Sequence, residues 1–163
     1  MTSEKVKRSQ VRTFIDVDPD YQDWALVGDG VTSAEIAYNP EISSEVYIHQ
    51  DSASSEIEAY APTMAIEAIA IKGDEVFDFV DALRKTRATL DAAHTQICNV
   101  WLYDEVYGET GVYRAEVQDV AISIDTFGGE GGQSNKINYT IHYCGDPVLG
   151  DFDLEYLTFS EDS

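Results

Sequence analysis

A mainly β domain with one helix is what this chain predicts, and three observations carry that expectation. Short segments with alternating apolar and polar residues recur along its 163 residues, and that alternation is the period of a half-buried strand. Only one stretch, with Val76, Phe77, Val80 and Leu83, repeats its apolar residues at helical spacing. The composition is 44% hydrophobic and 11% aromatic, with ten tyrosines, so a folded core is expected despite a formal charge of −21. The class is therefore mainly β (α+β). A sheet closed or folded on itself, as two packed β-sheets or a β-barrel with one flanking helix, buries such a pattern. The length suits one domain.

The elements follow in order. Residues 1–12 carry Lys5, Lys7, Arg8 and Arg12 and read as a basic arm ahead of an acidic body. Residues 11–17 (VRTFIDV) open with a short strand. DPDYQDWALVGDGVT reads as turn, apolar patch and turn. Ala34, Ile36 and Tyr38 then alternate with Ser33, Glu35 and Ala37 until Asn39-Pro40 breaks the strand. SEVYIHQ is extended, and DSASSEIEAYAP is poor in bulky apolar residues. Residues 40–62 therefore read as a long excursion from the core, a projecting loop or hairpin arm.

TMAIEAIAI (63–71) returns as a strand, and Gly73-Asp74 stops it. Asp74 serves as N-cap of a helix over 74–87, whose acids precede its bases as the helix dipole favours. QICNVWLY (96–103) is a strand, and GETG turns it. Over 112–125 the apolar parity shifts from Tyr113, Ala115 and Val117 to Val120, Ile122 and Ile124, so a bulge is expected near Gln118-Asp119. A Gly-rich loop follows, and then the clearest strand, with Ile137, Tyr139, Ile141 and Tyr143. GDPVLGD reads as a turn into an acidic tail, 154–163. The single domain spans 13–153.

Charge narrows the function classes. From Thr13 to Ile71 there is no lysine or arginine, while carboxylates recur from Asp16 to Glu67. Phosphate binding needs basic residues, so direct nucleic-acid binding is excluded, and an anionic membrane surface is repelled. No apolar run approaches the roughly 20 residues of a membrane span. No secretory leader is expected at Met1–Lys5, and Cys98 and Cys144 are too few for a disulfide framework, so cytosolic synthesis with reduced thiols is expected.

No chemistry stands out. Asp16, Asp18 and Asp20 have the start of a calcium loop, but Tyr21 and Val27 stand where Gly and Glu are needed. His94, Cys98, His142 and Cys144 are zinc-ligand types without ligand spacing. There is no G-x-S-x-G nucleophile turn, and the glycines lack the Lys-Ser/Thr pair of a phosphate loop. No catalytic residue, metal or cofactor is expected, and the chain does not read as an enzyme.

The ordered segments WALVGDGVTSAEIAYNPEISSEVYIHQ, EIEAYAPTMAIEAIAIKGDEVFDFVDALRK, YRAEVQDVAISIDTFGGEGGQ and KINYTIHYCGDPVLGDFD resemble the major tail tube proteins of long-tailed (siphovirus-type) bacteriophages, especially those of Gram-positive hosts. NPEISSEVYI, GDEVFDFVDALR and CGDPVLGDFD are the most specific pieces, and RATLDAAHTQICNVWLYDE fits least. The likeness runs from about residue 11 to 153. It implies a tail-tube fold and a structural virion protein, assembled in the host cytoplasm. Six copies would close a ring, and rings would stack around a tape measure protein between tail initiator (distal tail) and tail terminator proteins. DNA would pass without specific binding, and no membrane would be involved.

By position, the loop at 40–62 is the one that reaches an adjacent ring. The inter-subunit candidates are therefore Lys5, Lys7 and Arg8 on the arm, with Glu45, Tyr47, His49, Asp51, Glu56, Glu58 and Tyr60 on the loop. The lumen-facing acidic candidates are Glu35, Glu67, Glu116 and Asp119. Acidic walls would remove binding wells for DNA, with repulsion screened over roughly 8 Å at physiological salt. Composition alone also fits an acidic DNA-mimic inhibitor, and the resemblance itself extends to another tube-fold member, a ring-forming tail-completion or secretion-tube component.

Overall fold

A computed structural model describes residues 3–162. Ten strands and one α-helix are present: β1 (Val11–Asp16), β2 (Trp24–Leu26), β3 (Val31–Ala37), β4 (Pro40–Glu45), β5 (Ser54–Tyr60), β6 (Thr63–Ile69), α1 (Glu75–Thr86), β7 (His94–Glu105), β8 (Val112–Gly128), β9 (Lys136–Asp153) and β10 (Thr158–Glu161). Eight of the strands form one antiparallel sheet curled into a half-barrel, in the order β2-β1-β7-β8-β9-β6-β3, with β10 added on β9. Among the described residues, β4 and β5 pair only with each other. The fold is thus mainly β with one helix, the class the sequence predicts.

The core lies on opposite faces of the sheet in its two halves. One cluster joins Ile15, Ile97, Val120, Ile122, Ile66, Tyr139 and Ile141 to Val76 and Val80 of α1. A second joins Phe14, Trp24, Cys98, Val100, Val117 and Phe152. Phe14 pairs with Cys98 and Ile15 with Ile97, so neighbouring residues of β1 point into different cores. Residues 13–16 are accordingly all buried.

This crossover corrects one expectation. The parity shift over 112–125 is not a bulge in β8, which keeps regular register with β7 from Ala115 to Ala121. The buried face changes, and the strand does not. The slip sits across the ladder in β9. Asp119 pairs with Cys144 but Val117 with Val148, so Gly145, Asp146 and Pro147 stand opposite Gln118. The Gln118 amide donates to the Gly145 carbonyl at 2.8 Å and fills the gap.

GDPVLGD is therefore not a turn. It is the second half of β9, interrupted by a bulge that accommodates Pro147. Three other boundaries move. The apolar patch at 24–26 is a strand. SEVYIHQ is the hairpin's tip, and its strand lies earlier, at 40–45. The tail contains β10.

Several local choices follow the chemistry read from the residues. The Asp74 side chain accepts from the Phe77 amide and caps α1, an interaction worth about 1 kcal/mol. Asp81 binds Arg84 and Lys85 one turn on. Asn39 adopts a left-handed φ of 47° where β3 breaks. Its amide donates to the Ala37 and Ala61 carbonyls and clasps the hairpin base. Asp16 accepts from the amides of Asp18 and Asp23, so the acidic triplet organises a turn.

β10 closes the second core. Phe159 packs against it, and a side chain at Gly150 would run into the Ser160 carbonyl and the Phe159 ring. Arg114 holds the strand's end, bonding Asp162 through both guanidinium nitrogens and Asp151 at 2.8 Å. That guanidinium lowers the Asp162 carboxyl below its ordinary value. A depressed folded pKa stabilises above the ordinary carboxylate range and is lost as pH falls through it. Acidification below about pH 4 should therefore loosen β10 before the sheet. Protection of the 158–161 amides against hydrogen exchange, taken relative to the intrinsic rate at each pH, should fall there in the native protein, and Asp162→Asn should show the lower protection already at neutral pH.

Candidate functional site

Two surfaces offer themselves for function: a bare sheet face and the projecting hairpin. The bare face lies opposite α1. Three cross-strand rows build it: Ser33, Glu67 and Asn138; Glu35, Ala65, Thr140 and Ser123; Thr63, His142, Ala121 and His94. The side chains are small or polar because their inward neighbours Ile66, Tyr139, Ile141 and Ile122 already fill the core on the helix side. Ser123 bonds His142 at 2.9 Å, and Thr140 donates to Asp125 at 2.6 Å. None of these rows contains lysine or arginine.

Glu35 and Glu67 stand exposed on this face. Asp119 joins them through its pairing with Gln96, whose amide donates to it at 3.0 Å. Glu116 does not. It pairs with Asn99 and lies half-buried on the helix-side face, where the sheet has passed beyond α1.

Glu116 belongs to a polar network that the residues alone did not reveal. Asn99 is 1% exposed. It accepts from the Thr13 hydroxyl at 2.9 Å and donates to Glu116 at 3.2 Å and to the Tyr143 hydroxyl at 3.0 Å. Each polar atom of its amide thus finds a partner, as burial requires. Burial and then the nearby Glu116 raise the Tyr38 hydroxyl above its ordinary value. The one sequence signal was Asn99 itself, a polar residue inside QICNVWLY at the point where the core changes faces.

The hairpin stands away from the sheet. Glu58 accepts from Ser43 at 2.6 Å, and the ring of Tyr60 meets Tyr38 edge to face. At the tip, the Gln50 side chain accepts from the Tyr47 amide and the Ser54 hydroxyl, fixing a turn that presents Val46, Tyr47 and Ile48. Ile48 is fully exposed, and Ile42 and Ile57 form an exposed pair farther down. Glu45, His49, Asp51 and Glu56 surround these apolar residues and are exposed. A two-stranded hairpin is marginal alone, and clustered exposed apolar residues mark an interaction surface.

On the arm, Lys5 and Lys7 are exposed. Arg8 is used within the chain, donating to the Val11 carbonyl at 2.7 Å and to the Ala34 carbonyl on β3. The four zinc-type residues do not converge. Among the described residues, no group of three or more His, Cys, Asp and Glu side chains is placed to hold a metal ion. No helix there is long and apolar enough to cross a membrane.

The two thiols differ sharply. Burial, reinforced by Glu116, pushes Cys98 up to about 12. Cys144 is half-buried, beside Asp119 on the bare face. A thiolate is the reactive form. Iodoacetamide at pH 8 should therefore alkylate Cys144 and leave Cys98 untouched until the protein is denatured, as read by peptide mass spectrometry.

The chain matches no protein-family model and no curated protein. Among solved structures it is similar to a chain in the tail of an empty GTA particle, refined helically with C6 symmetry. The TM-score is 0.62 at 10% identity, over 89% of this chain and 98% of that one. It also aligns with a chain of the anti-feeding prophage (AFP) baseplate, 6-fold symmetrised, at TM-score 0.49 and 9% identity, over 91% of this chain and 97% of the other. A chain of the PVC sheath–tube complex of an extracellular contractile injection system in the extended state aligns at 0.44 and 8%, over 89% and 90%. The likeness to the GTA tail establishes the fold, a curled β-sheet with one helix that also occurs in a helical, sixfold-symmetric tail.

Proposed function

We propose that this chain is a structural tail tube protein of a phage-type particle. Copies close into hexameric rings, and rings stack around a tape measure protein into a conduit for DNA, capped by initiator and terminator proteins. The particle is of the siphovirus type, the protein resides in the virion tail, and assembly takes place in the host cytoplasm. It performs no catalysis. The observation that carries this reading is the fold shared with a sixfold-symmetric tail, joined to a bare sheet face opposite the helix whose three rows carry no lysine or arginine, with Lys136 standing beyond Asn138 at their end.

In this reading α1 faces outward and the bare face lines the bore. Glu35, Glu67 and Asp119 are its lumen-facing acids, and Glu116 is a structural member of the Asn99 network. A basic wall would hold DNA through counterion release, and a wall of small polar and acidic side chains lets it slide. Ring closure would join sheet edges. The outer edges of β3 and β2 have no partner strand among the described residues. Such edges invite pairing with another chain. The hairpin reaches the adjacent ring, and Lys5 and Lys7 meet a neighbour's acids.

With so acidic a subunit, repulsion opposes assembly and salt relieves it. Negative-stain electron microscopy of concentrated protein should show hollow tubes of uniform bore, more abundant at high salt than at low. Discrete single rings would favour a completion component instead. Small particles at every salt concentration, together with competition against DNA for a nucleic-acid enzyme, would replace the proposal with a DNA mimic.

A further inference from the structure

One groove on the body matches the hairpin tip in both character and position. It runs beside β8 beyond the start of β7, with a volume of about 770 Å³. Leu83, Ile124 and Phe127 form its apolar wall, and Leu90 stands 83% exposed at its rim. Arg84 lies over the Phe127 ring at 3.9 Å and is held by Asp81. Arg87 ends α1 in a left-handed conformation and is exposed. It pairs with no carboxylate among the described residues. The groove's one carboxylate, Asp125, accepts from Thr140.

The hairpin has the complementary character, with Tyr47 and Ile48 at its tip flanked by Glu45 and Asp51, and no lysine or arginine between Pro40 and Tyr60. The basic arm, by contrast, would meet like charge at Arg84 and Arg87. Position agrees as well. Thr63, His142, Ala121 and His94 lie level across four strands. The hairpin leaves β6 on one side of that row, and the groove's Ile122–Phe127 wall lies on the other side. Tip and groove therefore belong to opposite ends of the subunit. A head-to-tail contact between opposite ends builds a stack where its rotation does not close.

We propose that the hairpin tip of one copy docks into this groove of the next. Tyr47 and Ile48 lie against Leu83, Leu90 and Phe127, and Glu45 and Asp51 face Arg87. This rests on the stacking proposed above and names the surface that receives the hairpin.

The test uses the full chain with Cys144→Ser, carrying Ile48→Cys and Leu90→Cys together, assembled and then oxidised. A ladder of covalent multimers on non-reducing gels is expected from the double variant and from neither single variant. Tubes that form without a ladder overturn the contact. A ladder that appears when Leu90→Cys is combined with Ser33→Cys instead overturns it too, because a lateral neighbour's β3 then fills the groove. Dispersed wild-type subunits at all salt concentrations overturn the stacking itself and this contact with it. A second variant needs no new disulfide. Arg87→Glu should keep the subunit's melting temperature and raise the polymerisation threshold about tenfold, with Arg87→Lys close to wild type. An unchanged threshold for Arg87→Glu overturns the contact.

Discussion

The switch of the buried face along the central strands is the constraint on which the rest of this structure depends. A sheet strand offers two faces, and these strands bury one face in one half and the other face in the other. Ile15 and Ile97 feed the core beneath α1, while Phe14 and Cys98, one residue away, feed the core closed by Phe152 and β10. Hydrophobic burial thus covers opposite sides in the two halves. What remains uncovered is as informative as what is covered. Opposite the helix the sheet is bare, and its side chains are Ser, Thr, Ala, Asn, Glu and His in register across four strands.

Polar groups at the switch are satisfied inside the protein. Where the helix ends and the second core has not begun, Thr13, Asn99, Glu116 and Tyr143 share one hydrogen-bond network, and Gln118 fills the gap left by the bulge in β9. The cost of burying amides and hydroxyls is offset only when such networks are complete. Glu116 is therefore fixed by its neighbours and withdrawn from the surface that the other acids occupy. The hairpin is the opposite case. Among the described residues its strands pair only with each other, and Val46, Tyr47 and Ile48 at its tip stay exposed. Its acidic flanks and apolar tip have the character that the docking proposed above requires.

Much of this was legible in the residues, and the misses have physical reasons. Alternation located most strands, because one buried face leaves a period of two. The helix and its cap at Asp74 were legible because capping is local chemistry. The break at Asn39-Pro40 was legible for the same reason. The turn assigned to GDPVLGD failed because Gly, Asp and Pro signal a turn and a bulge alike, and the choice between them lies in the partner strand. The shift at Gln118-Asp119 was noticed but attributed to the wrong strand, since a change of buried face and an inserted residue leave the same trace in one sequence. Among the acids, Glu35, Glu67 and Asp119 share a face that strand parity could suggest. Glu116 lies on the other face, in an environment set by Asn99 and Tyr143, which are distant in the chain. The groove at Arg87, Leu90 and Phe127 brings together three segments and had no local signal.

The central claim is that the bare face lines a bore and the helix faces outward. A helical reconstruction by cryo-electron microscopy of the protein polymerised in high salt tests it most directly. The account predicts a hollow tube with Glu35, Glu67 and Asp119 projecting into the lumen and α1 on the outer wall. A tube with α1 toward the bore, or an assembly whose subunits bury the rows from Ser33 to His142 against one another, would contradict it.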